Sequence, residues 1–394
     1  MMPAESPLPA GKPSTPALPL GLYVHVPFCA STCDFCAFYQ EEPRREDLDR
    51  YLTGVQRELE LAVPRCAADT IFWGGGTPSA LPARDLERLG RALLKHLGTA
   101  PKEWSIELAP SSVKADKLAV LRDLGVNRLS LGVQSFSETT LAGLGRRHSS
   151  KQVYAAIDAI LAAGFDNLNL DFIFAVPGQT QDAWLADLRE AMQIAPAHLS
   201  TYCLTFEEDT ALWLKLSRGQ VRPDPLADAV LYETTWDFLE NAGYAQYEIS
   251  NFARPGRECV HNLDTWRMSE WIGVGPAAAS QFQGRRYANP PDLKRWLAGI
   301  EKGQLDQVDM VPLTPSLLAA DALIFGLRLN CGVDLSALKK RFADFNFTVL
   351  EPLWRELIDD ELLEKTGSII RLTRAGRLVA DRVGVRILEV IEEI

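Results

Sequence analysis

No stretch of about 18 apolar residues interrupts this chain, so no transmembrane helix is expected. Positive charge is also in short supply. Forty-one Lys and Arg against 52 Asp and Glu leave a net charge of −11, which argues against a nucleic-acid groove or an anionic membrane surface as the main partner. Residues 1–20 hold six prolines among Ser, Ala and Gly, without the basic start and apolar run of a secretory signal. A disordered leader is expected there. Seven cysteines, an odd count in 394 residues, exclude a simple disulfide framework and fit a reducing cytoplasm. What remains is ordinary: 47% apolar and 24% charged residues, in a chain long enough for two or three domains.

Three of the cysteines carry the main signal. Cys29, Cys33 and Cys36 are spaced CxxxCxxC, which puts three thiolates on one short loop, enough to hold three irons of a 4Fe–4S cluster. Such clusters normally take four cysteines, and no fourth lies nearby. A structural zinc would want four nitrogen or sulfur ligands. The fourth iron of a cluster here stays open to a small molecule. The arrangement resembles the radical S-adenosylmethionine (radical SAM) superfamily, in which the methionine part of SAM chelates that iron.

From residue 21 to about 205, short strands alternate with amphipathic helices, the pattern of a parallel α/β fold. Strands are expected at 22–26, 70–73, 103–108, 128–133, 167–172 and 199–204. Helices are expected at 46–62, 84–97, 115–124, 151–163 and 228–242, the last three each closed by a glycine (Gly125, Gly164, Gly243). Six strands with crossover helices predict a partial (β/α)6 barrel, with an open doubly wound sheet as the alternative. The strands also keep a polar phase. Glu107 opposes Trp104, Ile106 and Leu108; Ser130 and Gln134 oppose Leu129, Leu131 and Val133; Asn167, Asn169 and Asp171 oppose Leu168, Leu170 and Phe172. Parallel strands buried on both faces would read as continuous apolar runs, so this phase predicts a lumen lined with ligand-binding groups.

Gly74-Gly75-Gly76-Thr77-Pro78 follows directly on the second strand, where glycines let backbone approach a ligand. No Lys-Ser/Thr pair follows, so it is not a phosphate loop. Together with Tyr23 to Cys29, Cys33 to Cys36, Gly132 to Phe136 and Leu170-Asp171, it resembles the oxygen-independent coproporphyrinogen III oxidase family. That resemblance covers nearly the whole chain from about residue 20. It implies SAM contacts from Tyr23, Phe35, Gly75, Gly76, Thr77, Glu107, Gln134, Arg146 and Asp171. Carboxylates suit ribose hydroxyls or an ammonium, and Arg146 suits the methionine carboxylate.

Two features separate branches of the family. Genuine oxidases carry a further cysteine two residues beyond the third ligand; here that position is Phe38, which resembles the heme chaperone branch. That branch also carries a heme-binding His-Asn-x-x-Tyr motif. His261 and Asn262 match it, Thr265 replaces the tyrosine, and Cys259 stands just before. His261 is therefore the first candidate heme ligand and Cys259 the second. A related glycine-rich stretch, Gly273 to Ser280, has Ala279 where relatives often carry a histidine.

Residues 251–304 read as a connecting segment. In the tail, 305–394, helices are expected at 317–327, 335–342, 350–365 and 374–392, with a strand at 369–373. This pattern resembles the family's winged-helix-like C-terminal cap. It lacks a basic stripe, so a lid or partner surface is expected in place of nucleic-acid binding. The leading expectation is a cytoplasmic heme chaperone with one 4Fe–4S cluster, SAM and heme, passing heme to an acceptor protein, with a homodimer as one expected assembly. The alternatives are the oxidase, which decarboxylates coproporphyrinogen III propionates, and a radical SAM methyltransferase.

Overall fold

The computed structural model describes residues 19–64 and 68–392; the expected leader up to residue 18, and Cys66, lie outside the described residues. Six strands form in the order expected: β1 Leu20–Val26, β2 Thr70–Gly75, β3 Glu103–Leu108, β4 Arg128–Gln134, β5 Leu168–Phe174 and β6 His198–Cys203. Each pairs in parallel with the next. Because they lie side by side in chain order with no switch point, the fold is the partial (β/α)6 barrel and not a doubly wound sheet.

The alternation of side chains decides what each face meets. Leu22, Val24, Ile71, Trp73, Trp104 and Ile106 are buried against Leu52, Leu86 and Leu93 of the outer helices Arg45–Ala62 and Ala83–Leu97. This layer removes the largest apolar area from water and so supplies the main folding force. The polar phase turns inward. Ser130 donates to Asp171 at 2.9 Å, Asn169 donates to Ser130 at 2.7 Å, and His198 Nδ1 lies 2.6 Å from Asn169 Oδ1. A hydrogen-bonded chain thus crosses the lumen face of three strands, satisfying groups that would be costly to bury alone.

The sheet continues past the barrel. β7 Ala245–Gln246 and β8 Asn251–Ala253 extend it beyond β6, while β9 Glu270–Val274 joins β1 in parallel, followed by β10 Ala279–Phe282, β11 Arg285–Ala288 and β12 Val308–Pro312. Residues 251–304, expected as a connecting segment, therefore supply strands on both flanks of the barrel. The helix Gln181–Ile194 was not foreseen; Thr180 caps it, and Trp184 and Leu188 bury one face.

The C-terminal region packs its own core around Leu323, Leu353, Trp354, Leu357 and Ile370, beside a small sheet of β13 Val333–Asp334, β14 Leu363–Thr366 and β15 Ile369–Leu372. The helix expected at 350–365 stops at Asp359. Glu361 turns left-handed (φ 58°) and Leu362 N donates back to Leu357 O, a stop that releases 363–366 into a hairpin. The last expected helix is likewise broken, into Arg374–Leu378 and Ala380–Glu392.

Candidate functional site

The cysteine loop leaves the C-terminal end of β1. It is tied down by backbone: Cys29 N donates to Glu41 O, Glu41 N to Pro27 O, and Asp34 N to Leu144 O, while Cys36 N closes a turn on Cys33 O. Cys29, Cys33 and Cys36 are all half-buried. Burial pushes the Cys33 thiol up, opposed by the Arg146 guanidinium, and Cys36 is raised by burial and by the other two thiols. Arg146 lies 5.3 Å from the centre of the Phe35 ring, and its Nε is buried without a partner. Among the described residues no three donors converge on one ion; thiolates that each hold a separate iron need not converge.

The glycine turn packs against this loop. Thr77 Oγ1 sits 3.0 Å from Cys29 Sγ. A Cβ on Gly75, where φ is +104°, would lie 2.7 Å from the His25 ring, and one on Gly76 would lie 2.8 Å from Phe28 O. Only glycine fits either position. Next to the turn, a Cβ on Gly74 would meet Glu107 Oε2 and Tyr23, each at 3.1 Å. Burial raises the Glu107 pKa to about 8, with the Asp171 charge adding to it. Asp171 is itself raised by burial, against donations from Ser130 and Asn169. Gln134 Nε2 and Arg146 Nη2 both approach Gly132. Tyr23, Gln134, Arg146, Glu107 and Asp171 thus gather on the lumen side beside the cysteine loop.

At the other end of the strands stands the helix Val260–Trp266. Glu103, at the start of β3, accepts from Val260 N at 2.9 Å, His261 N at 3.0 Å and Cys259 Sγ at 3.4 Å. His261 Nδ1 lies 2.8 Å from Thr70 Oγ1, and its ring packs on Phe72. Burial, then the nearby Arg128 charge, lowers the His261 pKa to about 4. The imidazole is neutral near pH 7, the form that binds metal.

One cavity of about 970 Å³ joins the two ends. Its wall includes Ala37, Phe38 and Tyr39 after the cysteines, Phe72 in the lumen, and His261 and Trp266 below. Cys259 is not brought to it: the side chain is fully buried, its thiol pushed up to about 12 by burial. Residues that sequence reasoning missed include Arg128, buried beneath the lumen, and Arg328 in the cavity wall. Arg128 opens β4 in phase with Ser130 and Gln134, and that was the available signal.

The chain matches the radical SAM superfamily model over residues 23–191 and the HemN C-terminal domain model over 313–379. A curated relative, the heme chaperone HemW of Bacillus subtilis, is 31% identical over 371 residues, covering 92% of this chain and 97% of the relative. The chain belongs to the heme chaperone HemW family. The HemW of Escherichia coli is 38% identical over 266 residues, covering 66% of this chain and 69% of that one. Coproporphyrinogen III oxidase (HemN) from E. coli, described as a radical SAM enzyme, superposes with a TM-score of 0.80 at 25% identity, covering 95% and 91% of the two chains.

Radical SAM membership implies a 4Fe–4S cluster and SAM, and the donor set fits. Three half-buried thiols share one loop, among the described residues no fourth cysteine joins them, and Arg146 Nε waits unpartnered beside them. Departures from the motifs also have clear settings in this HemW-family chain. Phe38 is 68% exposed at the cavity edge. Thr265 lines the cavity and donates to His261 O at 2.9 Å, and Ala279 lines the same cavity. Among the described residues, no helix is long and apolar enough to cross a membrane.

Proposed function

We propose that this chain binds heme in the cavity between the cysteine loop and the Val260–Trp266 helix and passes it to an acceptor protein. The observation behind this reading is the continuity of the cavity, which touches Phe38 at one end and His261 at the other. Its volume of about 970 Å³ is at the upper end for small-molecule sites, and aromatic walls are what a flat apolar ligand needs. Cys29, Cys33 and Cys36 would hold the cluster. Tyr23, Phe35, Gly75, Gly76, Thr77, Glu107, Gln134, Arg146 and Asp171 would hold SAM, whose bond cleavage at a reduced cluster is the chemistry the superfamily draws on.

The chain's own part is positioning. Glu103 fixes the backbone of the helix that carries His261. In the tautomer that carries its proton on Nδ1, His261 donates to Thr70 Oγ1 and Nε2 keeps its lone pair for iron. His261, and not the fully buried Cys259, is thus the ligand this reading assigns. Transfer follows from exposure, because a heme against Phe38 sits at a surface that another protein reaches.

The oxidase reading draws on the likeness to HemN. One experiment separates the two: anaerobically reconstituted protein is given SAM, coproporphyrinogen III, a low-potential one-electron reductant for the cluster and an electron acceptor for the decarboxylation, and in parallel is titrated with hemin. The chaperone reading expects a saturable hemin complex and no decarboxylated porphyrinogen. Formation of harderoporphyrinogen or protoporphyrinogen would overturn it.

A further inference from the structure

A second cavity, of about 420 Å³, adjoins the first; Tyr202, Ser250 and Arg328 stand in the wall of both. It lies between the barrel and the C-terminal region, and Arg377 and Arg382 also line it. Two of these arginines have a donor to spare. The Nε atoms of Arg328 and Arg377 are both buried without a hydrogen-bond partner. A buried donor left unmet costs free energy in the empty protein, so a bound acceptor would recover it.

Arg328 is held for such a task. Its guanidinium lies 4.8 Å from the centre of the Trp266 ring, on the helix that carries His261. Its one acid partner among the described residues, Asp381, is 3.2 Å away, and that side chain is 95% exposed, so the pair is weak. Glu248 lines the main cavity near Arg328; its Oε1 accepts from both Ser250 N and Asn251 Nδ2, and burial raises its pKa, which weakens its hold on the guanidinium. Arg377 packs at 4.7 Å over Trp236 and donates through Nη1 to Gln246, leaving Nε free.

An apolar chamber opening into an arginine-lined annexe suits an amphiphile with a flat apolar body and carboxylates on one edge. We propose that Arg328, with Arg377 behind it, recognises the propionate carboxylates of a tetrapyrrole seated in the main cavity. This rests on the heme-binding reading above. A guanidinium offers a carboxylate a planar fork of donors, which a lysine lacks.

The test compares hemin with hemin dimethyl ester, whose propionates are capped, in the reconstituted full chain. Wild type should bind hemin roughly tenfold more tightly than the ester, the scale of one charge-assisted hydrogen bond. Arg328→Gln should lose most of that preference by weakening hemin alone, with Arg328→Lys recovering part of it. Arg377→Gln should show the same pattern more weakly. Non-additivity between substitution and esterification marks direct contact, whereas a structural defect weakens both ligands alike. Equal wild-type affinity for hemin and its ester, which needs no variant, would overturn the proposal while leaving heme binding intact. Equal losses for both ligands in Arg328→Gln would also overturn it. If wild type binds neither, the heme reading falls and this proposal with it.

Discussion

At the cysteine end of the barrel, all three candidate cluster ligands come from one loop of eight residues, Cys29 to Cys36. At the opposite end, the candidate ligand His261 is set by residues far off in the chain: Thr70 on β2, Glu103 on β3 and Arg128 on β4. The first site is local and tolerates changes elsewhere in the barrel. The second is assembled across neighbouring parallel strands, so it depends on the barrel being intact. The cluster site should therefore fail only through its own residues, while the heme site should fail through distant ones as well.

The sharpest break is at the cysteines. Alanine at Cys29, Cys33 or Cys36 should each remove most of the iron from anaerobically reconstituted protein, measured by iron content and cluster absorbance. Cys203 and Cys331 should be dispensable for it. Full cluster absorbance after any of the first three changes would show that the ligands are misassigned.

Between the two ends lie the lumen carboxylates. Glu107→Ala or Asp171→Ala should weaken SAM binding by about ten- to a hundredfold, the range for a lost charge-assisted hydrogen bond, while leaving iron content unchanged. Calorimetry together with iron analysis separates the two effects. SAM binding that is unchanged in both variants would remove these carboxylates from the SAM site.

The pH dependence follows from Glu107, whose pKa burial raises to about 8. A pKa raised in the fold stabilises the protein most below the ordinary carboxylate value and loses that stability as pH rises through about 8. SAM brings a sulfonium and favours the carboxylate, so binding near pH 7 should release a proton. Affinity should climb by up to roughly tenfold per pH unit and level off above about 8. Calorimetry in buffers of different ionisation enthalpy reads that proton directly, and no buffer dependence would contradict it.

At the floor, Glu103→Ala strips the acceptor from Val260 N and His261 N. It should lower stability by about 1–3 kcal/mol for each donor left buried, read by denaturant unfolding, with hemin affinity falling and iron content intact. Loss of iron in this variant would erase the contrast between the two ends. The smallest effect is expected from Thr265→Tyr, which places a phenol in the cavity wall beside His261 and should tighten hemin binding severalfold.

The contrast also explains what could be read in the sequence. Strands with a strict apolar phase, such as Leu129, Leu131 and Val133, announce themselves because one face always meets helices. CxxxCxxC and the glycine turn are legible because each is contiguous. The polar phase of Glu107 and Asp171 correctly pointed inward. What sequence did not yield was non-local. β9 pairs with β1 across some 250 residues, and nothing in Glu270–Val274 names its partner. Cys259 looked like a second ligand beside His261, yet the helix start turns it into Glu103 and away from the cavity. Arg328 carries no motif; only the packing of the C-terminal region against the barrel brings it over Trp266.

The most direct measurement is a hemin titration of reconstituted wild-type and His261→Ala protein, followed at the Soret band with iron content and SAM binding as controls. The expected result is one heme bound per wild-type chain, and a lost or shifted band in His261→Ala with both controls unchanged. The same band and the same affinity in the variant would contradict the assignment of His261 to heme in this cavity.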